Sequence, residues 1–124
     1  MEFLSKVTTI SGEPFKTCMQ CGTCSVVCPM EPSMQITTRQ FMLLAQWGQK
    51  ESLLSVNTAW VCASCHGCEV RCPRGIDIPR VMESVRQMTL RENENYVQPG
   101  GIDKDQMDDM PQIALVSSFR KHTS

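Results

Sequence analysis

Large apolar side chains are scarce in this chain. Four Phe, two Trp and one Tyr make aromatics 6% of 124 residues, too few for a core built on rings. Net charge is nearly absent: 12 basic against 13 acidic residues leave −1 at pH 7, which excludes the basic footprint of a nucleic-acid or anionic-membrane binder. No apolar run approaches the roughly 18 residues of a transmembrane helix. The longest stretches are residues 41–45 and 113–116. The opening MEFLSKVTTI carries an acid at Glu2 and lacks the apolar region of a secretory signal, and no twin-arginine export signal is present. There is no glycine-rich phosphate loop, no Ser–His–Asp pattern and no carboxylate pair set apart for acid–base work. Bond-making chemistry on a substrate of its own is therefore not expected.

What is abundant is cysteine. Eight occur, and all eight fall into an internal repeat. Cys18-x-x-Cys21-x-x-Cys24-x-x-x-Cys28-Pro29 returns 44 residues later as Cys62-x-x-Cys65-x-x-Cys68-x-x-x-Cys72-Pro73. The similarity reaches upstream, where Ile10-Ser11 aligns with Leu54-Ser55. Two quasi-equivalent lobes are expected, each with one cysteine loop. Eight cysteines without an export signal point to metal rather than disulfides, and to a cytoplasmic protein.

Around the loops the apolar period is helical, and no alternating strand pattern appears before the tail. Phe3, Val7 and Ile10 share a face, and Ser11-Gly12-Glu13-Pro14 ends that helix. Thr37 or Thr38 can cap a helix carrying Phe41, Leu44, Ala45 and Gly48, and a short helical piece follows over residues 51–55. After the second loop, Asp77 is placed to cap a helix over residues 77–92, with Pro79 in its first turn. Ile78, Val81, Met82, Val85 and Met88 form its apolar stripe. The fold class is thus mainly α, with a cysteine domain over residues 1–96 and a tail over residues 97–124.

The duplicated C-x-x-C-x-x-C-x-x-x-C-P run resembles the bacterial-ferredoxin signature for two [4Fe–4S] clusters. Three thiolates at two-residue gaps reach three irons of one cube, and the proline after the fourth turns the chain away. In proteins of that type the fourth cysteine serves the other cluster. Cys18, Cys21, Cys24 and Cys72 then hold one cube, and Cys62, Cys65, Cys68 and Cys28 the other. That crossing stitches the lobes together and helps replace a thin hydrophobic core. Zinc has no use for a third C-x-x step, and a catalytic thiol pair is disfavoured when the repeat uses every cysteine. His66 reads as a loop residue or outer neighbour rather than a ligand. Lys16, Arg71, Arg74 and Arg80 flank the loops. They are either solvated charges or cations that raise the potential of a cube carrying roughly −2 with its thiolates. Trp47 and Trp60 are expected beside the loops, and the nine methionines as adaptable packing.

The 33 residues between Cys28 and Cys62, and the helix following Cys72-Pro73, resemble the α-helical ferredoxin domain. FLSKVTTISGEPFKTCMQCGTCSVVCPM, LLSVNTAWVCASCHGCEVRCPRGIDIPRVMESVRQ and PQIALVSSFRK are similar to the C-type iron–sulfur subunit of heterodisulfide reductase. Trp60-Val61-Cys62-Ala63-Ser64-Cys65 and Arg71-Cys72-Pro73-Arg74-Gly75 are the discriminating segments. The resemblance implies an electron-transfer subunit of an oxidoreductase complex. It would link a flavin- and iron–sulfur-containing A-like subunit to a catalytic B-like subunit with CCG domains. A related sulfur- or quinone-linked complex, a free ferredoxin-type carrier, and a metal-stapled adaptor without redox work remain alternatives. Some members of the family are longer at the C-terminus. The end just after Arg120-Lys121 points to the form without a membrane domain.

The tail reads differently. Pro99-Gly100-Gly101 breaks the pattern, Asp103, Asp105, Asp108 and Asp109 follow, and residues 111–116 form a short apolar, β-prone run before Phe119-Arg120-Lys121. It is either a solvated terminus or an extended strip lying on a partner, with Phe119 as anchor and Arg120 and Lys121 pairing with acids there.

Overall fold

A computed structural model describes residues 2–91 and 96–122, and among them every regular element is helical. The chain divides into two compact units, Met1–Thr89 and Leu90–Ser124. The first holds α1 (Glu2–Ser11), α2 (Thr23–Val26), α3 (Thr38–Gln46), α4 (Lys50–Ser55), α5 (Thr58–Val61), α6 (Gly67–Val70) and nearly all of α7 (Ile78–Leu90). Short 3₁₀ turns at Phe15–Thr17 and Glu31–Ser33 complete it. The repeat is visible in the backbone: α2 and α6 are offset by the same 44 residues as the cysteines.

The first unit forms around its apolar spacing. Val7 on α1 is fully buried, whereas Ile10, expected on the same face, is 43% exposed. Ser11, buried on the last turn, donates to the Val7 carbonyl (2.7 Å) and accepts from the Glu13 amide (3.2 Å). The chain then turns at Gly12 in the left-handed region (φ +67°). At α3 the cap is Thr37. Its hydroxyl accepts from the Gln40 amide while the Gln40 side chain accepts from the Thr37 amide (2.9 Å), a reciprocal capping box. Thr38 lies buried inside the helix. Phe41, Met42 and Ala45 are buried, and Leu44 packs at the edge. Gly48 follows with φ +69°, and a Cβ there would meet the Leu4 side chain at 3.3 Å, so α1 seats against this turn.

On α7 the Asp77 carboxylate accepts from the Arg80 amide (3.0 Å), capping the helix as expected. Ile78, Val81, Met82 and Val85 are buried, and Met88 packs partly buried against them. The helix ends at Leu90, and the expected end near residue 92 lies outside the described residues. Two sets of polar ties join the halves of this unit. Asn57 exchanges hydrogen bonds with Gln35 (2.8 and 2.9 Å), and the Thr58 hydroxyl donates to the Ile36 carbonyl (2.8 Å). Farther round, the Asp77 amide donates to Glu13 (3.2 Å).

The second unit corrects the expectation of an extended, β-prone strip. It contains a turn at Pro99–Gly101, α8 (Lys104–Asp109) and α9 (Gln112–His122), with residues 112–116 of the apolar run opening α9. The reason is local. Pro111 precedes the helix without needing an amide, and its carbonyl accepts from Ala114 (2.9 Å). Arg120, Lys121 and His122 lie in the last turn, where cations suit the helix dipole. Ile113 and Val116, the β-branched residues behind the strand reading, remain 74% and 53% exposed, so no sheet rewards them.

Candidate metal centres

Two pockets in the first unit sort the eight cysteines. One is lined by Cys18, Cys21, Cys24 and Cys72, the other by Cys28, Cys62, Cys65 and Cys68. Each encloses a similar free space, about 370 and 340 Å³ with its open mouth included. The third cysteine of each repeat and its fourth therefore face different pockets. All eight sulfurs are free thiols.

Local backbone explains the convergence. The turn at Phe15–Thr17 delivers Cys18, whose amide donates to the Phe15 carbonyl (3.2 Å). Gln20 (φ +58°) and Gly22 (φ +85°) then lie in the left-handed region, one on each side of Cys21. Ser64 (φ +52°) and His66 (φ +58°) do the same around Cys65. These kinks curl each loop, at a cost of order 1 kcal/mol where the residue is not glycine. A one-turn helix, α2 or α6, spans the third cysteine and leads to the fourth, and α2 packs against α6. Beyond Cys72, Gly75 (φ +65°) donates to the Cys72 carbonyl (3.1 Å) and turns the chain toward α7.

Side chains from the long helices brace both loops. Gln46 of α3 donates to the Lys16 and Cys18 carbonyls (3.0 and 2.9 Å). Arg86 of α7 donates to the Ala59 carbonyl (2.7 Å) and pairs with Glu83. Neither residue stands out in the sequence. The available signal is a polar side chain on the flank of an amphipathic helix, which solvated positions share. Arg39, which lines the first pocket, escapes sequence reasoning for the same reason.

The thiols differ in acidity. Burial pushes the Cys68 thiol up to about 12, with the charges of Cys62 and Cys24 adding to the effect. Burial likewise raises Cys24. Cys21 is lowered, first by a hydrogen bond with the Thr23 hydroxyl. Thiols held protonated by burial and by one another become thiolates when a cationic centre supplies the opposing charge. No carboxylate lines either pocket among the described residues; the first offers four thiols and the second four thiols with the His66 imidazole beside them, and four sulfurs per site are the donor class of iron–sulfur clusters and zinc. Four sulfurs per pocket fit a [4Fe–4S] cube.

The flanking residues divide. Arg74 lines the first pocket; Arg71 and Lys16 face solvent. Arg80 approaches Glu13 (3.5 Å) and Asp77 (3.8 Å). His66 lines the second pocket with its Nδ1 2.7 Å from Glu69 and 3.8 Å from Asp77. Trp47 and Trp60, expected beside the loops, are 67% and 49% exposed; the short loops are filled by methionine and proline. Met42 and Met82 are core residues that also line the pockets, consistent with methionine as packing.

Comparison with known proteins identifies the family of the two loops. Residues 13–76, which include all eight cysteines, match the family described as 4Fe–4S dicluster domain. The C-type subunit of the H(2):CoB-CoM heterodisulfide,ferredoxin reductase of Methanothermobacter marburgensis is 35% identical over 85 residues, covering 68% of this chain and 46% of that protein. The C-type subunit of the ferredoxin:CoB-CoM heterodisulfide reductase of Methanosarcina mazei is 34% identical over 91 residues, 73% of this chain and 56% of that one. A C-like heterodisulfide reductase protein of Archaeoglobus profundus is 28% identical over 87 residues, 69% of this chain and 46% of that one. The chain spans about half the length of the curated relatives it matches. No helix among the described residues is long and apolar enough to cross a membrane. With its eight thiols in two pockets, the chain belongs to the 4Fe–4S dicluster domain family and is an iron–sulfur, electron-transfer relative of the C-type subunits of heterodisulfide reductases.

Proposed function

We propose that this chain relays electrons through two [4Fe–4S] clusters inside a cytoplasmic heterodisulfide reductase-like complex. Cys18, Cys21, Cys24 and Cys72 hold one cluster, and Cys62, Cys65, Cys68 and Cys28 the other. The observation that supports this is the sorting of eight thiols into two four-sulfur pockets with the fourth cysteines exchanged. A [4Fe–4S] cluster bound there supplies one-electron oxidation and reduction. The residues of the chain do the rest. The left-handed kinks at positions 20, 22, 64 and 66 curl the thiol loops. Met42, Ile76 and Ile78 wall the first pocket against water, as Pro79 and Met82 wall the second. The contact of α2 with α6 keeps the two sites side by side.

Donor and acceptor are taken to be an A-like flavin and iron–sulfur subunit and a B-like CCG-domain subunit that acts on the terminal substrate. A freely diffusing carrier serving several partners gains from a large single-sign field, and a net charge of −1 offers none. Exposed Ile113 and Val116 on α9, beside Arg120 and Lys121, add contact surface for such an assembly.

Anaerobically purified protein should carry about eight irons and eight acid-labile sulfides per chain. Stoichiometric zinc without sulfide overturns the reading. Cys28→Ser should disturb the cluster held by the second loop rather than that of its own. A pull-down from native extract should recover flavin-containing and CCG-domain subunits. A monomer fully active as a shuttle would instead establish a free carrier, and a quinone-linked partner a related complex.

A further inference from the structure

The backbone repeat is close, but the charge pattern departs from it at the pockets. Arg39 and Arg74 both line the first pocket. Their counterparts, 44 residues away in the repeat, are Glu83 and Met30. Met30 lines the second pocket, and no Arg or Lys does. Glu83 pairs with Arg86. Position 22 is glycine, and the Arg39 stem runs over it, with Cδ 3.5 Å from where a Cβ would stand. Its counterpart is His66, whose imidazole sits against the Glu69 carboxylate at 2.7 Å. Gly22 is required by its left-handed turn (φ +85°), and the Arg39 stem lies over it in ordinary van der Waals contact range. Among the described residues neither Arg39 nor Arg74 pairs with a carboxylate, and their charges are left to act on the pocket.

Resting on the two-cluster reading above, we infer that the pair is electrically polarised: the cluster held by Cys18, Cys21, Cys24 and Cys72 has the higher reduction potential, set by Arg39 and Arg74. Reduction adds one negative charge to a centre that is already anionic, and cationic side chains lining the pocket stabilise the reduced form more than the oxidised one. Water access does not separate the sites in the same way, because each loop exposes its middle cysteine, Cys21 or Cys65, and covers the others at least partly. Exchange of one electron between the sites oxidises the second and reduces the first, and needs no outside reactant. Electrons from the donor subunit therefore come to rest at the first pocket. The side of the chain carrying Arg39 and Arg74 is the exit, and the side carrying His66 and Glu69 the entry.

The test is a potentiometric titration of the anaerobically purified full chain, followed by electron paramagnetic resonance. Two separated one-electron steps are expected. Arg39→Gln and Arg74→Gln should each move the upper step down and leave the lower in place, and the double variant should move it further. Arg39→Lys should keep most of the wild-type value. If the double variant loses iron, Met30→Arg decides the matter from the other side, since it should raise the lower step and narrow the gap. Coincident steps in the wild type, or arginine variants that move the lower step, overturn the polarity. Failure to find eight irons and eight sulfides in the wild type overturns the cluster reading itself, which this measurement separates from the polarity. Added salt should narrow the gap, because both arginines reach solvent.

Discussion

The two compact units obey different rules. Among its described residues the first buries thirteen apolar ones, from Val7 to Val85, and closes its polar ends with long-range ties such as Asn57 to Gln35. The second has no buried residue on α8 or α9 and leaves Ile113 and Val116 in water. In the first, the apolar stripes of α3 and α7 are buried, so a 3.6-residue period reports the fold. In the second, nothing competes with local preference, and short helices result. The first unit also carries all the sulfur chemistry, and its cysteine loops lie between its core helices.

Removal of iron is the most severe way to probe this contrast. The α2 and α6 helices have four residues each and bury little beyond Cys24, so the loops depend on ligation. Chelation should destabilise the first unit by more than the largest core truncation, and hydrogen exchange should quicken first in the two loops. Exchange in α9 should not change. Equal protection of the loops with and without iron would show that the core alone shapes them.

Within the iron-loaded protein, the core comes next. Phe41 is fully buried at the centre of α3, and Phe41→Ala should cost about 3–5 kcal/mol in urea unfolding through lost burial and a cavity. A loss under about 1 kcal/mol would mean that the clusters carry this unit almost unaided. Smaller again is the α3 cap: Thr37→Ala removes one half of the capping box and should cost about 1 kcal/mol. Thr37→Ser should restore most of it.

Legibility in the sequence follows the same division. Cysteine spacing is a local signal: the first three sulfurs of each repeat share a pocket, while the exchange of the fourth cysteines is legible only through the resemblance to two-cluster ferredoxins. Asp77 and the α7 stripe are equally readable, because a cap and a period are local too. What escapes is polar and distant. Gln46 reaches back to residue 18 and Arg86 to residue 59, contacts with no period and no motif. The tryptophans mislead because size alone suggests burial, while the space beside the loops is filled by Met30, Met34 and Pro79. The tail misleads because β-branched Ile113 and Val116 resemble a strand wherever nothing shows whether a sheet exists to receive them.

The smallest effect should come from that tail. Ile113 and Val116 are exposed, so Ile113→Ala and Val116→Ala remove little burial from the isolated chain, and each should change unfolding free energy by less than about 0.5 kcal/mol. Alanine also favours helix more than either β-branched residue, which offsets part of any loss. Their value should appear in the assembled complex, where roughly 25 cal/mol is gained per Å² of apolar surface covered. Truncation after Gly101 should accordingly leave iron content and cluster spectra unchanged while weakening recovery of partner subunits. Loss of iron on truncation would tie the second unit to the stability of the first and erase the contrast between them. Unchanged recovery would place the docking surface elsewhere on the first unit, where Val26 and Val70, repeat counterparts on the packed helices α2 and α6, stand 87% and 80% exposed.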